Sequence, residues 1–463
     1  MLKISSLILL IYSQSLLAVN LEKVLSSSIK HYPEIQKAKV EYKINRRKFT
    51  KNQGAFDSKL IGNSQQRVDG YYDGDYSSLK LVKPLPYFNS KLEGGYRRSE
   101  GEIPVYEKEH ETLSDGEYFL GINFSLLRDS LIDNNRLQVK NQQLQNDISK
   151  TELLSKKLKT LKSAELAYYE YIINYIITDV YSDLYKLSKD QQTAIEKRAR
   201  KGDLARIYIT ENLQYLTKRK NKLLKATQDL DLARIYLSLF FRDDQGKTKL
   251  VKDKDHKLEF KEIEVKSEQF EQEIERALSR NPQFRIFDLA LKQYENEIEF
   301  KDNQTLPKLN LKLSSAKDQG EGLESYRGEE QKIMLDLEIP IERRKIDSDL
   351  AISKLKQDKI KIEQRFYQDK FKNYLSQLQI KLLNLTKQIE TSQLEIKYAQ
   401  KLEKAERIKF FNGDSDLILL NLREQKTVDA KLELLDYKLK YIKAAAAYKE
   451  AVVHEDYLKY IQD

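Results

Sequence analysis

Four histidines, His31, His110, His256 and His454, are the side chains best suited to hold a metal or move a proton near neutral pH, and the chain has no cysteine. They stand far apart, with none of the spacing that puts two ligands on one helix face or one turn. Neither a phosphate-binding glycine loop nor a nucleophile elbow accompanies them. Asp73-Gly74-Asp75 has the opening of a calcium loop, but the remaining ligand positions are unfilled and a polar turn accounts for it more simply. The pattern therefore assigns no catalytic, cofactor-binding or metal residue and points to a protein that is not an enzyme. Without cysteine there is also no disulfide, no zinc thiolate and no lipidated N-terminal cysteine.

Charge narrows the partners. Lys and Arg number 82 against 72 Asp and Glu, a net charge of +10. The signs alternate along helical stretches instead of forming the concentrated basic patch that nucleic acid requires, so no nucleic-acid partner is expected. With 33% charged residues and only 15 Gly and 7 Pro, the composition is that of long solvated helices.

Residues 1–18 have the form of a secretory signal peptide: Lys3, an apolar run from Ile4 to Tyr12, and a small-residue stretch ending at Ala18. That run is too short to span a bilayer, and the apolar stretch from Tyr168 to Val180 is interrupted by Glu170, Asn174 and Asp179. If the exported chain enters a membrane, it does so as a barrel.

The remainder reads as two repeats. Leu21, Val24, Leu25 and Ile29 followed by Pro33 recur as Phe270, Ile274, Ala277 and Leu278 followed by Pro282, 249 residues on. Ser58-Lys59-Leu60 and Pro307-Lys308-Leu309 keep that offset, but Phe119–Phe124 matches Ile333–Glu338 at 214, which leaves 35 extra residues in the first half, enough for one more β-hairpin. Lys201-Gly202-Asp203 matches Asn412-Gly413-Asp414 at 211, so the long helices differ by only three residues. The expected layout is a first repeat over 19–246, with a short helix, a β segment at 56–126 including the additional hairpin, a long helix at 132–200 and a return helix at 203–241. A polar linker at 247–266 leads to a second repeat over 267–463, with a short helix, a β segment at 307–340, a long helix at 344–411 and a return helix at 414–451.

Within the β segments Leu120, Ile122 and Phe124 alternate with Gly121, Asn123 and Ser125; Leu309, Leu311 and Leu313 alternate with Asn310 and Lys312; Ile333, Leu335 and Leu337 alternate with Met334, Asp336 and Glu338. Two readings stand: a lipid-facing and lumen-facing barrel wall, with Asp336 and Glu338 towards the lumen, or a half-buried soluble sheet. Each long stretch is free of Gly and Pro, and ~68 residues at about 1.5 Å rise give roughly 100 Å of helix, a length that needs coiled-coil partners. Gly202 and Gly413 fit helix C-caps, and Asp203 or Asp414 beside them fits the cap of the returning helix.

Taken in order, Leu306-Pro307-Lys308-Leu309-Asn310-Leu311, the run from Gly121 to Asp129 with Ile132-Asp133, and the Gly202 and Gly413 turns resemble the TolC-like outer-membrane efflux proteins over nearly the whole mature chain. The resemblance implies a mainly α fold with β: a homotrimeric outer-membrane β-barrel to which each subunit lends four strands, continued by an α-helical coiled-coil periplasmic tunnel, with two internal repeats per chain. It implies a tip that docks a periplasmic adaptor (membrane fusion protein) joined to an inner-membrane transporter, for which Arg198, Gly202, Asp203, Leu204, Gly413 and Leu417 are the candidates here. It implies carboxylates that narrow the tunnel; Asp414 and Asp416 are nearest, and helix capping is their alternative role, while Leu419 and Leu422 stand further along. The extra 35 residues are a departure that would lengthen the extracellular face, and Tyr71, Tyr72, Tyr76, Tyr87, Phe88 and Tyr96 supply either an interfacial aromatic girdle or loop aromatics. The expected function is a passive outer-membrane exit duct of a tripartite efflux pump or type I secretion system, in contact with outer-membrane lipid; the competing expectation is a soluble periplasmic coiled-coil scaffold or adaptor.

Overall fold

The computed structural model describes residues 20–251, 258–263 and 270–461; the signal peptide expected over 1–18 and part of the expected linker lie outside them. The chain divides into two compact units, one holding 38–153 and 282–368 and the other holding the remaining segments.

The first of these carries the sheet. It contains most of α2 (Pro33–Gln53), then β1 (Lys59–Gln65), β2 (Asp75–Pro84), β3 (Lys91–Glu100), β4 (Glu117–Ser125) and the opening of α3 (Asn134–Arg200). From the second half come α6 (Pro282–Asn303), β5 (Lys308–Asp318), β6 (Gly328–Glu338) and the opening of α7 (Arg344–Asn412). All six strands form one antiparallel sheet in sequence order, β1 to β6. The resemblance implied four strands. The correction comes from the 35 inserted residues, which do not extend an outer loop but form β2 and β3, laddered between β1 and β4. Their hairpin closes through Phe88 and Asn89, both at positive φ (50° and 48°), with Ser90 N–H donating to Tyr87 O at 2.9 Å, the geometry of a primed turn whose twist suits the flanking strands.

Helix starts follow local chemistry. Asp133 accepts the N–H groups of Asn135 and Arg136 at 2.7 and 3.0 Å, capping α3 from the residue just before its start. Proline at the first position of α2 and of α6 costs no hydrogen bond there. Polar contacts join the helices of this unit, such as Gln293 to Asn141 O at 3.0 Å and Lys301 to Asp349 at 2.9 Å. Large apolar side chains remain uncovered on them, among them Ile44, Leu355, Ile362 and Phe366.

The other unit is helical. It comprises α1 (Leu21–His31), the start of α2, the later parts of α3 and α7, α4 (Ile207–Ser238), α5 (Phe270–Arg280), α8 (Leu417–Ala451) and α9 (Glu455–Ile461). Its core is drawn from the apolar stripes: Val24, Leu158, Leu161, Ile172, Leu237 and Ala446 are fully or almost fully buried. Burial of each large aliphatic side chain contributes about 1.5–3 kcal/mol. Ile173, Leu435 and Ile442 form one cluster, over which Phe260 from the linker packs.

Candidate functional site

Two regions carry the residues singled out by the sequence: the sheet, and the pair of helix turns. In the sheet the register aligns whole rows of side chains. Lys59, Val82, Glu93, Gly121, Ser314 and Lys332 make one row, and Leu60, Leu81, Gly94, Leu120, Ser315 and Gln331 the next, on the opposite face. One face is thus apolar, with Leu79, Leu92, Ile122, Phe124, Leu311, Leu313, Ile333 and Leu335. The other bears Lys80, Glu93, Arg97, Glu117, Lys312 and Asp318. Across the polar face Lys312 meets Glu93 at 3.0 Å and Arg97 pairs with Glu117. Asp336 and Glu338 both lie on this polar face, opposite Asn310 and Lys308, and Glu338 also binds Arg128 at 3.0 Å.

The β3–β4 connection, residues 101–116, folds back over the polar face as a strap. Arg97 donates to Glu109 O at 3.0 Å, the Tyr76 and His110 rings lie 4.4 Å apart, and Leu113 N–H donates to Asp318 at 3.1 Å. Ser99 and Thr112 exchange backbone-to-hydroxyl bonds of 2.9 and 2.8 Å. The two neighbouring loops fasten it: Asp73 accepts Glu102 N–H at 2.8 Å and Ser114 N–H reaches Glu321 O at 3.1 Å. Asp73 and Asp75 thus spend carboxylate oxygens on backbone N–H groups, the work of a turn. The Tyr96 and Tyr118 rings lie 4.9 Å apart and tilted on the apolar face near the strap end of the sheet, and Tyr87 and Phe88 are exposed at the end where the strands join the helices. Sequence reading missed the strap, since its Glu- and Lys-rich composition reads as an ordinary polar loop.

The helix turns lie within the helical unit and repeat one motif. Asp203 N–H bonds Arg198 O at 3.0 Å and Gly202 N–H bonds Ala199 O at 3.2 Å; Asp414 bonds Lys409 O at 2.9 Å and Gly413 bonds Phe410 O at 3.2 Å. Both glycines are left-handed, at φ +84° and +90°, which completes a Schellman cap at each turn. Ile195, Phe410, Leu417 and Leu420 form a common core with Leu204, Tyr208 and Ile209 packed on it, and the Arg198 guanidinium sits 6.0 Å from the centre of the Phe410 ring. The structure therefore brings Arg198, Leu204 and Leu417 together, with Gly202, Asp203, Gly413 and Asp414 exposed on the turns. Leu417 is fully buried, so it shapes the turn and offers no docking surface; Ile207, Phe411 and Ile418, which the sequence reading passed over, are the exposed apolar side chains there.

The capping expectation divides. Asp416 is the N-cap of α8 and accepts Leu419 N–H at 2.7 Å. Asp203 caps nothing: α4 begins only at Ile207, after Arg206, which makes no side-chain cap. Leu204, Ala205 and Arg206 intervene and put Asp203 out of reach.

Further along the same helices lies a buried polar network that sequence reading missed. Arg219 and Glu424 pair at 2.9 Å with their side chains 3% and 1% exposed. Gln191 donates to Glu424 at 2.6 Å, Arg219 donates to Asn421 at 3.0 Å and to Ser188, and Arg407 reaches Glu424 at 3.3 Å. A signal existed: Leu417, Leu420, Asn421, Glu424, Thr427 and Val428 share one helical stripe, so Glu424 falls on a core position. Near the C-terminal end Glu165 accepts Tyr457 at 2.6 Å and Lys449 at 2.9 Å. Burial, reinforced by the Glu165 charge, pushes the Tyr457 phenol well above its usual range, so it stays a proton donor.

No family model matches the sequence, and no curated protein does. Solved structures do. CusC, described with transmembrane channel formation, aligns at TM-score 0.69 with 11% identity over 93% of this chain and 91% of its own. The CmeC outer-membrane channel of Campylobacter jejuni aligns at 0.65, 13% identical, over 96% and 88%. The open-state MtrE outer-membrane channel of Neisseria gonorrhoeae aligns at 0.65, 14% identical, over 94% and 89%. The chain has the fold of TolC-like outer-membrane channels.

Proposed function

We propose that this chain is the outer-membrane channel subunit of a tripartite efflux pump or a type I secretion system, a passive exit duct with a periplasmic helical extension. The observation that carries the reading is the sheet, whose one face is apolar through the middle of the strands from Leu79 to Leu335 while the other carries Lys80, Glu93, Arg97, Lys312 and Asp336, in a chain with the channel fold. Three copies close their sheets into a barrel, with the apolar face towards outer-membrane lipid and Asp336 and Glu338 towards the lumen. The uncovered apolar side chains on α2 and α7 support this assembly, because monomers rarely expose so many. The long helices of the three copies form the conduit.

The two turns dock a periplasmic adaptor joined to an inner-membrane transporter. Arg198, Gly202, Asp203, Leu204 and Gly413, together with exposed Ile207, Phe411 and Ile418, make that surface, and Leu417 holds it from beneath. Asp414 is the carboxylate available to narrow the conduit, since Asp416 is engaged in its cap. Energy comes from the inner-membrane partner, and cargo moves through without covalent chemistry.

The test is to fractionate cells expressing the chain and size the detergent-extracted species by light scattering corrected for bound detergent. A trimer from the outer membrane that conducts ions in a planar bilayer is expected. Release by osmotic shock as a soluble monomer or dimer would overturn the channel and leave a periplasmic scaffold.

A further inference from the structure

Resting on the trimeric channel reading, we infer that the membrane pore is an eighteen-stranded barrel, six strands from each copy, sealed where β6 of one copy pairs with β1 of the next. The resemblance implies twelve. The decisive feature is order: β2 and β3 are hydrogen-bonded between β1 and β4, so the inserted hairpin cannot stand outside a barrel without breaking a ladder of seven paired residues on each flank.

The two edges fit each other. An even number of antiparallel strands makes β1 and β6 run in opposite directions, so copies related by rotation about the barrel axis meet with antiparallel edges and the alternation continues round the ring. Every residue of both edge strands is exposed, seven in β1 and eleven in β6, and β6 shows Ile333, Leu335 and Leu337. A monomeric protein blunts or covers such an edge; this one leaves it open. Faces match as well. Lys59 lies on the polar face at the same end of the sheet as Asp336 and Glu338, which places a cation on one edge and carboxylates on the other. Leu60 and Leu335 continue the apolar face across the seam.

Strands about 4.8 Å apart and tilted about 40° give an eighteen-stranded ring roughly 36 Å across between backbones, against roughly 24 Å for twelve. The strap of residues 101–116 then lies inside the bore and narrows it.

The absence of native cysteine makes the seam directly testable in the full-length chain. Ile61→Cys is combined in turn with Lys332→Cys, Met334→Cys and Asp336→Cys, all polar-face positions, and membranes are oxidised and resolved on denaturing gels. Covalent dimers and trimers from at least one pair are expected, and none from Ile61→Cys with Lys312→Cys on the interior strand β5. Removal of residues 67–101 provides a second measurement: the trimer persists with twelve strands and β1–β6 cross-linking survives. A trimer by light scattering that gives no β1–β6 cross-link in any pair overturns the eighteen-stranded seam while leaving the channel standing; a soluble monomer overturns both.

Discussion

The two halves of the chain differ sharply in their β segments and hardly at all in their helices. The first half has four strands and the second two, whereas α3 and α7 have 67 and 69 residues and their turns close with the same pair of hydrogen bonds. Helices packed side by side must match in length, or one leaves its apolar stripe bare. A sheet has no such constraint, since a hairpin brings its own pairing partner. The comparison teaches that the helices fix the repeat and that the sheet is free to grow.

The largest expected effect comes from breaking the place where the halves interlock, since Arg219 belongs to the first and Glu424 to the second. Glu424→Ala leaves a buried guanidinium unpaired and should destabilise the chain by about 3–5 kcal/mol, read as a lowered thermal midpoint of helical circular dichroism. The double variant Arg219→Met with Glu424→Leu should recover most of that loss. Next comes a test of sameness. Gly202→Ala and Gly413→Ala should each cost about 1–2 kcal/mol, and equally, because both glycines have left-handed φ and open space where a Cβ would go. A clear inequality would show that the two turns are not equivalent.

A smaller effect sharpens the difference between them. Asp416→Ala should cost about 1 kcal/mol through the lost cap, while Asp203→Ala should stay within about 0.5 kcal/mol. Smallest in stability is replacement of residues 103–111 by a short Gly-Ser linker, which should leave the trimer and its melting unchanged yet raise single-channel conductance. Unchanged conductance would show that the strap does not obstruct the pore.

Much of this was legible in the sequence. Alternation in Leu309–Leu313 and Ile333–Leu337, the missing Gly and Pro across the long helices, and the Gly202 and Gly413 punctuation are local signals, and local signals survive translation into structure. The offset change between Leu60 and Phe119 located the additional hairpin, but offset alone could not say where it pairs, because strand order is a non-local property. Leu417 shows the same limit: its position after the turn suggested a surface, and only packing against Ile195 and Phe410 shows it buried. Glu424 was hidden because a charged residue on a charged helix reads as solvated unless its stripe is followed. The strap depends on contacts with three strands and two loops, none of them adjacent in sequence to all the others.

The hairpin of β2 and β3 carries its turn, its register and both of its faces within itself, so it behaves as a transferable cassette. Duplication of one such cassette would add two strands per subunit, and six to the threefold ring proposed above, without altering a single helical residue. In the proposed ring, pore width would then change only in steps of six strands, because an odd number of strands per subunit would bring parallel edges together at each seam.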